Sequence, residues 1–435
     1  MTTEALYKLF EEHPEVTTDS RQCPADSLFF ALKGDSFDGN RFAAQALSQG
    51  CAYAVVDDPA VVPTDDNRYV LVDDVLRTYQ LLAREHRRHF TGPVIQITGT
   101  NGKTTTKELT AAVLSKRYCV HYTQGNLNNH IGVPRTLLGL RPEHTLAVIE
   151  TGANHPGEIK TLTEIVEPDC GIITNVGRAH LEGFGSFEGV KRTKGELYDW
   201  LRRKQGGFIF LCADNGDLTE MAAGMAALKY GRPNGGGDLT VEGEVTACAP
   251  FLALRWRRAG SKDWNNVQTR LIGAYNVDNV LAAVTAGVHF GVSDTDITSA
   301  LEAYVPANNR SELRVTQRNR LIVDAYNANP TSMRAALENF KAMPGEHKMA
   351  ILGEMRELGE VSEEEHRKVV EQLEASGLEN VWLVGENFCN IPSDFRCFIN
   401  VEEVKQTLAD ETIEGKLILI KGSNGTKLFQ LPDYL

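Results

Sequence analysis

Residues 93–107, Pro-Val-Ile-Gln-Ile-Thr-Gly-Thr-Asn-Gly-Lys-Thr-Thr-Thr-Lys, constrain the chain more than any other stretch. Val94, Ile95 and Ile97 form an apolar run of the length of a buried strand. Gly99 and Gly102 supply the backbone freedom of a tight turn, and a helix starts where the threonines follow. The first turn of a helix has unpaired amide hydrogens, and the helix dipole adds to their pull on an anion. Lys103 contributes a full positive charge, and the Thr104 hydroxyl can hold a magnesium ion. The spacing is not that of the usual phosphate loop, which wants a small residue where Ile97 stands, five positions before Gly102. Strand, glycine turn and threonine-rich helix start together still predict a nucleotide-phosphate site built from Gly99, Thr100, Asn101, Gly102, Lys103, Thr104 and Thr105.

A chain of 435 residues exceeds one hydrophobic core and implies two or three domains. The net charge of −13 argues against broad contact with nucleic acid or an anionic membrane, while leaving room for local basic sites. No apolar run reaches the ~20 residues of a membrane span. The first ten residues pattern as an amphipathic helix and lack the basic flank and apolar core of a signal peptide. The eight cysteines are scattered, without a Cys-x-x-Cys, and read as reduced, mostly buried thiols of a cytoplasmic protein and not as disulfides or zinc ligands.

The pattern of strands and helices predicts an α/β protein of three domains. Residues 1–84 form a small α/β N-terminal domain, 85–305 a central domain with a phosphate-loop-type, mainly parallel sheet, and 306–435 a Rossmann-like C-terminal domain. A boundary falls near Pro306, where Ala307-Asn308-Asn309-Arg310 reads as a linker. Around 231–270 a small antiparallel insertion is expected. Ligands of such sheets lie beyond the carboxyl ends of the strands. Glu150 ends one strand there, and Asn175 ends another with His180 close behind. A carboxylate beside a phosphate loop needs a cation between them, which makes Glu150 a candidate metal ligand and His180 a possible second. In the first domain Ser20-Arg21 suits either a phosphate site or a solvated turn. Asn126, Asn128 and Asn129 lie in an amide-rich stretch too polar for core, and Val190 to Glu196 reads as a solvated basic helix face. No Gly-x-Gly-x-x-Gly is present, which argues against a dinucleotide cofactor.

Taken together these segments resemble the Mur ligases of peptidoglycan synthesis over nearly the whole chain. The resemblance is carried by Gly99-Thr100-Asn101-Gly102-Lys103-Thr104, by Glu150 to Ile159, by Thr174 to Glu182 and by Asp324-Ala325-Tyr326-Asn327-Ala328-Asn329-Pro330. The last of these points to the branch that joins D-alanyl-D-alanine to UDP-N-acetylmuramoyl-tripeptide; the Asp-Asn-Pro-Arg of the branch that adds the third stem residue is absent. What the resemblance implies is an ADP-forming amide ligase working through an acyl phosphate, with ATP and two magnesium ions. Thr104 and Glu150 would hold one ion and His180 help hold the other. Lys194 matches the lysine that is carbamylated in this superfamily, so Lys103, Lys194 and His180 would be the catalytic residues. Asn276 would contact adenine, Arg310 a phosphate and Asp324 the ribose; Ser20 and Arg21 match the uridine-nucleotide region. Asn126, Asn128, Asn129, Tyr326, Asn327 and Asn329 would contact the peptide substrates. Asn40 stands where the pattern has histidine, and Asn424 where arginine is common. The expected enzyme is monomeric and cytoplasmic. Another Mur-type or folylpolyglutamate-type ligase, or an ATPase switch, is the competing reading.

Overall fold

The computed structural model describes residues 1–34, 36–233, 238–306, 310–345 and 347–435. Of the linker expected at 307–310, the residues 307–309 lie outside them.

The chain opens with the helix Thr3–Glu12, whose start is capped by the Thr2 hydroxyl accepting the Ala5 amide at 3.3 Å. It buries Leu6, Tyr7 and Phe10. Four parallel strands follow in the spatial order Val16–Thr17, Leu28–Phe30, Tyr53–Val56 and Tyr69–Leu71. The second and third are all but completely buried, which is why they read as apolar runs and not as alternating ones.

Next comes the helix Val75–His89, capped by Asp74 through the Arg77 amide at 2.8 Å. The break expected at residue 84 falls inside this helix and is corrected here. One apolar cluster runs through it, joining Phe10 of the opening helix and Leu28 and Phe30 of the first sheet to Val133, Leu137, Ile149 and Ile165 beyond it. Near the end of the helix Arg87, 7% exposed, donates to the carbonyl oxygens of Phe90, Val166 and Glu167 and to the Asp169 carboxylate. The same carboxylate accepts the Val94 amide, so the guanidinium ties the helix to the first strand of the central sheet.

That sheet has, among the described residues, the strand order 265–268, 252–258, 241–248, 227–231, 208–212, 170–173, 94–98, 146–150 and 120–122. From 241–248 to 120–122 all neighbours are parallel, and the remaining pairs are antiparallel. The antiparallel insertion is thus continuous with the central sheet. The strand Val94–Thr98 is the switch point: the chain continues to one side of it with 120–122 and 146–150, then to the other with 170–173. Crevices open at such points beyond the carboxyl ends of the strands. The helices Lys103–Leu114 and Val277–His289 pack closely across one face, at a point where a Cβ on Gly287 would sit 2.5 Å from Val113 Cγ1.

The third unit is a sheet in the order 312–315, 320–324, 417–421, 348–353, 380–384 and 396–398, antiparallel only in its first pair. Its far edge corrects the cysteine reading. Cys389, closing the short helix Glu386–Cys389, is disulfide-bonded to Cys397 in the edge strand, with the Cα atoms 5.6 Å apart. A spacing of eight residues has no motif value in a sequence; the turn back into the edge strand creates the proximity. The other cysteines are free thiols. Among the described residues no helix is long and apolar enough to cross a membrane.

Arg87→Met keeps an apolar stem but removes the guanidinium from three carbonyl oxygens and from Asp169, which keeps the Val94 amide. The expected loss is about 3 kcal/mol, read as a lowered thermal unfolding midpoint. An unchanged midpoint would show that the anchor carries no stability.

Candidate active site

The strand Val94–Thr98 is buried at every position and delivers the chain into the loop. Gly99 has φ 140° and Gly102 φ 79°. A Cβ on the first would lie 2.0 Å from Thr174 Oγ1, and on the second 2.5 Å from Asn279 Oδ1, so both glycines are required by conformation and by space. Asn175 holds the loop from the neighbouring strand end. Its carbonyl accepts the Thr100 amide at 3.0 Å, and its side-chain oxygen the Asn101 amide at 3.0 Å. The helix then starts at Lys103, and Gly102 to Thr105 line a cavity of about 880 Å³. Lys103 folds back over the loop, donating from Nζ to the carbonyl oxygens of Gly99 (2.9 Å) and Thr100 (3.0 Å). Burial pushes its pKa down to about 8, against the opposing Glu150 charge and with an added push from Arg310.

Glu150 ends its strand 1% exposed. Its Oε1 accepts from Thr104 Oγ1 at 3.2 Å and from Asn128 Nδ2 at 2.8 Å. Its Oε2 is buried with no protein partner. A buried carboxylate oxygen left in that state is strongly unfavourable unless a cation meets it. The Thr104 hydroxyl and the Glu150 carboxylate form a hard oxygen donor pair that fits a small divalent cation. His180 reaches the same cavity from a left-handed backbone position, φ 51°. Its Nδ1 is in contact with the Glu357 carboxylate of the third unit.

The third unit closes the cavity. The Arg310 guanidinium lies 3.9 Å from the centre of the Tyr326 ring. Asp324 accepts from Lys421 Nζ at 2.5 Å, and Lys421 is 1% exposed. Asn276 lines the cavity, but its side chain is held by the Ile272 carbonyl (2.9 Å) and by Asn279 Nδ2 (2.8 Å). Asn126, Asn128, Asn129 and Asn327 also line it, and Asn129 Oδ1 caps the helix Gly132–Leu138 through the Gly132 amide at 2.8 Å.

Five expected site residues lie off the lining. Gly99 serves through its carbonyl. Asn329 is turned away into a helix cap and a contact with Asn101. Lys194 is 2% exposed, with Nζ 5.5 Å from the centre of the Phe184 ring, so the reading of its stretch as a wholly solvated face is corrected at this position. Burial, then the nearby Lys103 charge, lowers its pKa to about 7 against the pull of Glu158 and Glu196. Ser20 and Arg21 sit in the first unit away from the cavity, and Arg21 is spent on Asp19 at 2.8 and 2.9 Å. Asn40, 1% exposed, donates to Asp38 and Asp57 and accepts the Asp57 amide. That position is structural here. Asn175 and Asn279 were not singled out as site residues. The signal for Asn279 was its place one helical turn after Asn276, and for Asn175 its place at a strand end.

Comparison with known proteins places this geometry in context. The model for the Mur ligase middle domain matches residues 97–287. That for the Mur ligase, glutamate ligase domain matches 309–424, and that for the Mur ligase family, catalytic domain matches 14–87. The UDP-N-acetylmuramoyl-tripeptide–D-alanyl-D-alanine ligase of Bacillus subtilis (strain 168) is 33% identical over 428 residues, covering 96% of this chain and 92% of the relative. A crystal structure of MurF from Acinetobacter baumannii superposes with a TM-score of 0.85 at 31% identity, over 96% of this chain and 92% of that one. MurF ligase from Thermotoga maritima in complex with ADP gives a TM-score of 0.84 at 27% identity, over 97% and 96%.

The buried Lys194 makes stability depend on pH. Its folded-state pKa lies below its usual value, so the unfolded chain holds more protons between about pH 7 and about pH 10.5, and stability rises with pH across that window. Lys194→Met removes the penalty. In bicarbonate-free buffer the variant is expected to melt above the parent at about pH 7, with the gap closing toward pH 10. A gap independent of pH would show that the amine is not buried as a titrating group.

Proposed function

Because the chain belongs to the Mur ligase family, we propose that it joins D-alanyl-D-alanine to UDP-N-acetylmuramoyl-tripeptide, consuming ATP, in the synthesis of peptidoglycan precursors. The observation that carries the reading is the single cavity shared by the phosphate loop, the unpartnered Glu150 oxygen and the third-unit residues Asp324, Tyr326 and Lys421. A cavity of that composition brings a nucleotide, a cation and a further substrate together. The MurF relative from T. maritima holds ADP, which supports ATP as the nucleotide here.

A carboxylate becomes an amide only through a better leaving group than oxide. The tripeptide carboxylate attacks the γ-phosphorus of ATP, forming an acyl phosphate and releasing ADP. The dipeptide amine then attacks the acyl carbon, phosphate departs, and the amine loses its extra proton. The helix-start amides at Gly102 to Thr105 receive phosphate oxygens. Lys103 leaves its two loop carbonyls and neutralises charge growing on the transferring group. Thr104 and Glu150 would hold magnesium, which supplies charge neutralisation between the phosphate oxygens and the carboxylate. Arg310, presented on the Tyr326 ring, adds a second fixed cation. The main-chain span around Asp324 to Asn327 and the amide-rich loop 126–129 face the same space and would orient the peptide substrates.

Finer assignments belong to the same reading. Lys194, with an amine that burial keeps partly neutral near pH 7, is suited to take up carbon dioxide, and the resulting carbamate would turn a cation into a metal-orienting anion. The first unit would take the UDP-sugar, and the third the dipeptide. The enzyme would act as a monomer in the cytoplasm.

The primary test is phosphate release from ATP with the UDP-linked tripeptide, with and without D-alanyl-D-alanine. Release that requires both, with the pentapeptide as product, is expected; release with neither substrate would instead identify a free-standing ATPase. Lys103→Ala is expected to lower kcat by about 10²–10³ with the fold intact by circular dichroism, and near-normal turnover would remove Lys103 from the mechanism. Lys194→Ala should lose activity and regain part of it with a small added carboxylate; full activity without rescue would discard the carbamate.

A further inference from the structure

The crest of the phosphate loop touches the third unit through one side chain. Asn329 Nδ2 donates to Asn101 Oδ1 at 2.7 Å, and the reverse contact from Asn101 Nδ2 to Asn329 Oδ1 is 3.5 Å. Asn329 is 4% exposed and its orientation is fixed by a reciprocal cap. Its Oδ1 accepts the Ser332 amide at 2.9 Å, while its own amide donates to Ser332 Oγ at 3.1 Å. The cap at the start of the helix Pro330–Ala342 claims the side-chain oxygen and leaves the side-chain nitrogen aimed at the loop.

Asn101 is equally constrained from its own side. Its amide donates to Asn175 Oδ1 at 3.0 Å, and its carbonyl accepts from Thr174 Oγ1 at 2.6 Å and from Asn175 Nδ2 at 3.0 Å. Gly102 and Lys103 follow at once. Among the described residues, the other polar contacts between these units, Glu357 with His180, Arg178 with Glu365 at 3.9 Å, Tyr275 with Ser311 at 3.0 Å and Cys248 with Asn339 at 3.5 Å, do not touch the loop. Their Glu357 and Arg178 side chains are also more than half exposed.

We infer that Asn329 is a positioning residue. By hydrogen-bonding Asn101 when the third unit is seated on the central sheet, it holds the loop crest in the geometry that presents Lys103 and the helix-start amides to the nucleotide. Phosphoryl transfer is thereby timed to docking of the unit that would carry the acceptor dipeptide. The inference rests on the ligase reading and assigns Asn329 a task inside it different from substrate contact.

The variant Asn329→Ser separates the bridge from the cap. Serine accepts the Ser332 amide as a good N-cap but is one bond too short to reach Asn101. The expected result is a near-parental melting temperature and a kcat for ADP formation in the complete ligation mixture reduced about five- to tenfold, the effect of one hydrogen bond on an equilibrium. KM for ATP should stay within about twofold, since Asn329 itself does not line the nucleotide cavity. Small-angle X-ray scattering of the ADP-bound variant is expected to show a larger radius of gyration than the parent. Asn101→Ala leaves the cap untouched and should produce the same loss, and the double variant should lose no more than the worse single one. A parental kcat and radius in both single variants, or losses that multiply, would overturn the proposal. Should Asn329→Ser melt early, Asn101→Ala alone decides by the same two readouts. A parent that fails to ligate would sink the functional reading instead, and the scattering comparison would still judge the bridge.

Discussion

One buried carboxylate oxygen without a partner sets the terms for the active centre. Glu150 ends a fully buried strand, so its side chain cannot swing out to water. One oxygen is satisfied by Thr104 and Asn128, and the other is buried with no protein partner, in a residue that lines the cavity at the phosphate loop. An anion held there would repel phosphates, so the site works only when cations intervene. Lys103, Arg310 and the first turn of the helix at Lys103 supply fixed positive potential around it, and the oxygen donor pair invites a divalent ion. Burial holds the Lys103 amine below its usual pKa, a cost of keeping the cation away from water. Anionic phosphate offsets that cost, which favours binding of the nucleotide that the chemistry uses.

The features legible in the sequence were those set by local chain geometry. The run from Val94 to Lys107 announced a strand, a turn that only glycine could make and a helix start, because each is fixed by near neighbours. The strand ends carrying Glu150, Asn175 and Asp324 could be read from apolar runs that stop abruptly at polar residues. The parallel sheets followed from alternation of strands with helices.

The features that stayed hidden depend on contacts between distant segments. The Asn329-Pro330 order is a local sign of a helix cap, but nothing local shows that Asn329 is bonded to the loop while Asn327 lines the cavity. His180 meets Glu357 across nearly two hundred residues of chain. Lys194 lies in a segment rich in charge, on the face that the helix Phe187–Arg203 buries with Val190, Leu197 and Leu201. The Cys389–Cys397 pair and the structural use of Asn40 are of the same kind. In each, the residue type was visible and its partner was not.

The helix Val75–His89 lends the molecule a mechanical asymmetry. Because its apolar face belongs to the first sheet and to the central one at once, these two regions share a single core. The third unit has cores of its own, one of which takes in Ile272 of the central unit, and it also meets the rest through polar side chains. A recombinant fragment ending at residue 84 would therefore expose the unfinished side of that shared core and be prone to aggregate. The third unit, by contrast, brings most of its core with it and is the natural place to divide the chain into separately expressed pieces.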